Sequence, residues 1–298
     1  MKKEMKYMLF FAVLFCFCIS FAQNRKVDSL LTLLKKDKED TNKVKHLNNL
    51  GWELCDNDPD TAIILGNQAL SISQKIQWKK GIANSYGSLG LYYKANGDFT
   101  KALEFNFKAL KIDEELGNKK GISACYGNIA NVYRNLGEFN KALDYYLKAL
   151  KIGEEMNDKK RVSTQLGNIG LVYADQSNYP KALDYYHKAL KQDEALGNKS
   201  GVIRHLTNIG IVYKELREYP KALDYYFRAM RMDEEEGNKS GVAKNLGNIG
   251  AVYSHQQDNV KALEYFNKSL KLKEEIGSEA GLATCLTNIG ALYILERK

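Results

Sequence analysis

The chain has 298 residues, 44% hydrophobic and 27% charged, with a formal charge of +8. These proportions belong to a folded globular protein and exclude a disordered chain, a collagen-like chain and a multi-span membrane protein. Only 3 Pro against 19 Tyr point to regular structure with few flexible linkers, and the positive charge raises nucleic acid as a partner to be weighed.

Residues 1–22 stand apart. Lys2, Lys3 and Lys6 open the chain, an apolar run follows from Met8 to Ala22, and Ser20-Phe21-Ala22 sets small residues ahead of Gln23. That order predicts a secretory signal peptide cleaved after Ala22. The apolar run is shorter than the ~20 residues a membrane span needs. Phe15 and Phe17, next to Cys16 and Cys18, are too bulky for a lipid-attachment site. Cleavage removes three Lys and one Glu and leaves +6. The mature chain is therefore expected to be exported, periplasmic or extracellular. It keeps Cys55, Cys125 and Cys285, an odd count at wide spacing, which is neither a disulfide framework nor a metal motif.

Residues 23–41 read as a helical lead-in, and residues 42–298 are filled by a repeat. Gly87-Ser88-Leu89-Gly90 returns as Gly127-Asn128-Ile129-Ala130, Gly167-Asn168-Ile169-Gly170, Thr207-Asn208-Ile209-Gly210, Gly247-Asn248-Ile249-Gly250 and Thr287-Asn288-Ile289-Gly290. The step is 40 residues each time, and Asn48-Asn49-Leu50-Gly51 is an earlier copy. Lys-Ala-Leu recurs from Lys101, Lys141, Lys181, Lys221 and Lys261. The two frames give six full repeats and a final half.

Each repeat reads as two helices. Tyr126, Ile129 and Tyr133 keep helical spacing in the first, and Ala142, Leu143, Tyr146, Ala149 and Leu150 in the second. Gly137 between them suits a left-handed cap. Pro180, Pro220 and Pro59 fall at second-helix starts, where a missing N–H costs nothing, and Asp58 is the expected N-cap of the earliest. One helix pair cannot enclose its apolar stripe, whereas stacked pairs can. The small column Gly90, Ala130, Gly170, Gly210 and Gly250 is expected to meet the backbone at Ala102, Ala142, Ala182, Ala222 and Ala262. The Tyr93, Tyr133, Tyr173, Tyr213, Tyr253 and Tyr293 column reads as packing rather than a base-stacking ladder.

Leu89-Gly90, Tyr93, Gly97, Ala102 and Ala109, recurring at fixed offsets over residues 42–298, resemble the tetratricopeptide repeat (TPR). The usual unit has 34 residues and closes its second helix with Pro. Here Glu114, Glu154, Glu194, Glu234 and Glu274 stand at that place, so the second helix runs longer. This form resembles the repeats of kinesin light chains and spindle-orientation adaptors. The resemblance implies an all-α fold, a right-handed TPR superhelix (α-solenoid) of six and a half helix-turn-helix repeats. It also implies an extended peptide held in the concave groove. Similar repeats occur in exported bacterial proteins ahead of a membrane span and a signalling module.

One column does not read as core. Asn49, Asn128, Asn168, Asn208, Asn248 and Asn288, with Ser88 the exception, sit two residues before the small position and point away from the partner helix. In the resembled families this face lines the groove. Asn costs a helix interior up to ~0.7 kcal/mol against Ala, and its amide carries donors and an acceptor that can pair with a peptide backbone. The alternatives, bonds between neighbouring helices or passive inheritance by repeat duplication, stand beside this. Flanking positions carry Lys94, Arg134, Arg204, Lys214 and Lys244 and no acid, a bias toward an acidic peptide partly offset by Asp175 and Glu215.

No catalytic, metal or cofactor constellation appears. The four His are scattered; His187 reads as a semi-buried substitution. There is no H-E-x-x-H, G-x-S-x-G or phosphate-binding loop. Asp113, Glu114 and Glu115 read as exposed ion pairs with Lys108 and Lys111. Basic residues interleave with acids throughout, which argues against nucleic acid. The chain ends after the first helix of a repeat, with Leu286, Ile289, Leu292 and Tyr293 expected to be uncovered. The sequence therefore predicts a non-enzymatic scaffold binding a protein or extended peptide. The alternative is the sensor region of a longer signalling protein with a cyclase, histidine kinase or DNA-binding effector beyond residue 298. A membrane enters only with a downstream span or an uncleaved signal.

Overall fold

The computed structural model describes residues 25–296; the signal segment 1–22 and its cleavage site lie outside the described residues. Among the described residues there are fourteen helices and no strand. They are α1 (Arg25–Leu34), α2 (Thr41–Leu54), α3 (Pro59–Lys75), α4 (Lys79–Ala95), α5 (Phe99–Glu115), α6 (Lys119–Asn135), α7 (Phe139–Glu155), α8 (Lys159–Asp175), α9 (Tyr179–Ala195), α10 (Lys199–Glu215), α11 (Tyr219–Glu235), α12 (Lys239–His255), α13 (Asn259–Glu275) and α14 (Glu279–Glu296). From α2 to α13 they form helix-turn-helix pairs, the all-α solenoid fold, and α14 stands alone. The contacts divide the described chain into one unit of Arg25–Gly201 and another from Val202 onward. No described helix is long and apolar enough to cross a membrane.

The turns explain why helices of the repeats from α4 to α13 keep one length, 17 residues. At the end of α4, Gly97 has φ +86 and its N–H donates to the Lys94 carbonyl, while the Asp98 N–H reaches back to the Tyr93 carbonyl at 2.9 Å. Both orphan carbonyls are thus satisfied in three residues. Asp98 then accepts from the Lys101 N–H at 3.0 Å, capping α5. One aspartate therefore closes a helix and opens the next. Asp58, Asp158, Asn178, Asn238 and Asp258 accept in the same way, and Pro180 and Pro220 lie in the first turns of α9 and α11.

In the unit Arg25–Gly201, Ala130, Ala142, Tyr146, Leu150, Ile169 and Val172 form one buried cluster. In the other, Ala222, Tyr226, Ile249 and Val252 repeat the pattern. The small column works differently from the expectation. A Cβ on Gly170 would stand 2.7 Å from the Tyr186 ring, and on Gly210 or Gly250 equally close to Tyr226 or Phe266. The small residue makes room for the side chain four positions past the alanine, an aromatic ring at Tyr186, Tyr226 and Phe266 and an amide at Asn106, not for backbone. The tyrosine column is packing: Tyr133 stacks on Tyr145 at 5.7 Å, Tyr213 on Tyr225 and Tyr253 on Tyr265 at 5.5 Å. Lys141, Lys221 and Lys261 lie 5.1 Å from the first ring of each pair.

Three further expectations are corrected. Asp113 is buried, not an exposed ion-pair member. It accepts from the Asn118 amide at 2.7 Å and the Cys125 thiol at 3.8 Å. Asp233 is buried likewise, taken by Asn238 at 2.7 Å and Asn245 at 3.0 Å. The following turn folds back over the helix end and encloses the carboxylate. His187 is exposed, because its column faces outward in α9. Of the final helix, Leu292 is buried against Ala262 and Phe266, whereas Leu286 and Ile294 are exposed.

A candidate peptide-binding groove

The asparagine column lies on the first helices of the repeats, and these helices wall the larger cavities. In the unit Arg25–Gly201 a cavity of about 430 Å³ opens between α2, α4 and α6. Asn49, Ser88 and Asn128, three successive members of the column, all line it, with Asn84 and Ala124 beside them. In the other unit a cavity of about 300 Å³ between α12 and α14 is lined by Asn248, Asn288 and Lys244. Asn168 and Asn208 are half-buried on α8 and α10 and line neither.

The amides are little used by the protein itself. Asn168 donates to Gln165 at 3.4 Å within its own helix. Within the described residues no hydrogen bond engages the side chains of Asn49, Asn128, Asn208 or Asn288, and the buried amide nitrogen of Asn248 finds no partner. Bonding between neighbouring helices therefore does not account for the column. It is instead Asn48, one residue earlier, that bridges repeats, donating to Ser85 at 3.2 Å.

The basic positions separate into two kinds. Arg134 is bound to Asp175 at 2.5 Å and Lys214 to Glu215 at 3.1 Å, so their charge is largely met within the protein. Arg204 and Lys244 are exposed. Lys94 is half-buried beside Asn128 and Asn131 in a crevice of about 10 Å³.

Why one interface between first helices is hollow and another filled follows from two columns. One runs Gly87, Gly127, Gly167, Thr207, Gly247, Thr287; the other Ser85, Cys125, Gln165, His205, Asn245, Cys285. In the unit from Val202 onward, Thr207 donates to the Asn245 carbonyl oxygen at 3.2 Å, and the Asn245 amide donates to Asp233. Side chains plug that interface. At Gly127 the partner is Gln165, about 3.6 Å from where a Cβ would stand. At Gly87 the partner is the short Cys125, and a Cβ would meet nothing within 4 Å. Both larger cavities are lined by the cysteine of this column, Cys125 in one and Cys285 in the other. Burial, reinforced by the Asp113 charge, pushes the Cys125 thiol up to about 12, so it is an inert wall rather than a nucleophile. Burial also raises the Asp113 carboxyl above the ordinary carboxylate range.

The repeat columns do not single out Trp52 and Trp78, the only two tryptophans, yet both line the larger cavity. Trp52 is 60% exposed. Trp78 holds the N-cap position of α4 without a side-chain cap bond, forgoing about 1 kcal/mol. Asn118, Asp158, Asn198, Asn238 and Ser278 stand at that place later in the chain. Their signal in the sequence is the departure from the column. Among the described residues no group of His, Cys, Asp and Glu could hold a metal ion.

No curated protein matches the chain. Solved structures do. BtubC of P. vanneervenii is 21% identical over 74% of this chain and 93% of its own, with a TM-score of 0.63. NprR, solved in complex with its cognate peptide NprX, is 15% identical over 95% of this chain and 83% of its own, with a TM-score of 0.60. The nearly identical TPR-like repeats assigned to a kinesin light chain in P. anserina are 14% identical over 65% of this chain and 96% of their own, with a TM-score of 0.52. At such identities the likeness is one of fold. The tetratricopeptide repeat profile itself matches residues 81–155, 161–235 and 241–298. With most of the chain matched and α2 to α13 built as consecutive helix pairs, this protein belongs to the tetratricopeptide repeat family.

Proposed function

We propose that this chain is an exported, non-enzymatic scaffold that binds a protein or an extended peptide in the groove formed by the first helices of its repeats. The observation that carries the proposal is the asparagine column: Asn49 and Asn128 line one cavity, Asn248 and Asn288 another, and within the described residues no internal hydrogen bond engages the side chains of Asn49, Asn128 or Asn288 or the amide nitrogen of Asn248. Such amides can donate to and accept from a peptide backbone, holding a strand without demanding its side chains. NprR, which shares the fold and is solved with a bound peptide, supports this reading. Arg204 and Lys244, exposed on the same face, favour an acidic segment through charge-assisted bonds.

The test is binding after Asn49→Ala and Asn128→Ala are combined in one variant, and Asn248→Ala and Asn288→Ala in a second. Peptides selected by the intact protein from a displayed random library should lose at least about tenfold in affinity, while helical content and thermal midpoint hold. Unchanged affinity would remove the ladder from the mechanism. Export is tested separately: the mature chain recovered from the periplasm or medium should begin at Gln23, and recovery starting at Met1 would refute cleavage.

A further inference from the structure

We propose that the cavity between α2, α4 and α6 is a side-chain pocket that seats one apolar residue of the bound peptide between Trp52 and Trp78. This rests on the peptide-scaffold reading and adds which part of a peptide is read, and where.

Four observations converge. The cavity, about 430 Å³, falls within the size of sites that enclose small ligands and exceeds a single side chain. It exists because Gly87 and Cys125 stand where Thr207 and Asn245 plug the matching interface. Its apolar wall includes Val44, Leu91 and both tryptophans. Trp52 remains 60% exposed on that wall, and large aromatic side chains left open beside a pocket are the usual anchors of recognition.

The chemistry of the occupant follows from the charges. Lys45 lines the same cavity with its ammonium 5.9 Å from the Trp78 ring, so it already occupies the face a cation would seek. Both oxygens of Asp113, the one carboxylate on the wall, are taken, one by Asn118 and one by Cys125. A cationic side chain thus meets a like charge and no open carboxylate; the buried acceptor left unpaired on the wall is the neutral Asn48 amide oxygen. An apolar one buries surface against Trp52 and Trp78 without bringing a charge out of water. Asn49, Ser88 and Asn128 at the rim are placed to hold the backbone on either side of it.

The protein supplies its own control. Gly87→Thr with Cys125→Asn copies the Thr207–Asn245 plug onto Asp113 and Asn118, the counterparts of Asp233 and Asn238. The plugged variant should fold. Trp52→Ala, at an exposed position, is the second variant and does not depend on that. A displayed random 12-residue library is selected on the full mature protein, and Trp-free peptides from it are synthesised. They should carry a Leu, Ile, Met, Phe or Tyr at one fixed position. They should bind the plugged and Trp52→Ala proteins about 10- to 100-fold more weakly. They should also shift the protein's tryptophan emission, all of which arises from this pocket. Equal affinity for the plugged protein, or a fixed Lys or Arg, overturns the pocket while leaving the scaffold standing. If the intact protein retains no peptide at all, both fall.

Discussion

The Tyr92 hydroxyl donates to the backbone carbonyl of Asn48 at 2.6 Å, while its ring lies over Gly51. Tyr92 comes from the first helix of one repeat and fills a space in the repeat before it. Later repeats fill that space from their own second helix, with Asn106, Tyr146, Tyr186, Tyr226 and Phe266; the earliest has Gly66 there. The missing ring is thus returned by a neighbour, next to Asn49 and the cavity. Tyr92→Phe removes the second bond to the Asn48 carbonyl, which keeps its helical partner in α2, and should cost about 0.5–1.5 kcal/mol of stability. Gly51→Ala sets a Cβ 2.6 Å from the hydroxyl and should cost at least about as much through overpacking. Urea midpoints of the two variants and the parent check both values.

Gly87 and Gly170 predict opposite signs for the same substitution. At Gly170 a methyl would strike the Tyr186 ring at 2.7 Å; at Gly87 it meets open space. Gly170→Ala should lose about 1–3 kcal/mol, and Gly87→Ala should gain up to about 1 kcal/mol from helix propensity. Thermal melts of the pair decide it, and a loss at Gly87 would mean that the cavity is already filled.

Much of this was legible in the sequence, for a physical reason. The 40-residue columns report which positions are small, apolar or capping, and a helix pair needs little else to be specified. Asp113 was not legible, because its burial depends on Asn118 and Gly121 of the next turn closing over it, a relation between columns rather than within one. The hollow at Gly87 escaped for the same reason: it is a coincidence of two short residues 38 positions apart. The asparagine column could be placed on a face, yet its free amides become visible only once every possible partner has a position.

Arg217 sits at φ +60, in the position that Gly97 and Gly137 hold at φ +86 and +73. A side chain there is strained, and glycine is not. Arg217→Gly should therefore stabilise the array by about 0.5–1 kcal/mol, with Ser177→Gly, at φ +55, moving the same way. A fall in the urea midpoint of both would contradict the assignment of these turns.

Asp233 accepts from two amides, yet burial prevails and raises its carboxyl above the ordinary 3.8. The native state then holds the proton more tightly than the unfolded chain, so this group lends stability at low pH and loses it as pH rises through the native value. The stability of the parent minus that of Asp233→Asn should fall as pH climbs from the ordinary carboxylate value, then level off. Urea titrations at a series of acidic pH values measure it; a difference that grows with pH would contradict the sign.

The plug at Thr207 and Asn245 and the hollow at Gly87 and Cys125 occupy the same place in the repeat, on helices of the same length. Recombination between misaligned copies of the gene, three repeats out of step, would therefore trade one for the other without disturbing a single helix boundary. The array carries its hollows and plugs as interchangeable inserts, and a lineage can move one by copying from within its own sequence.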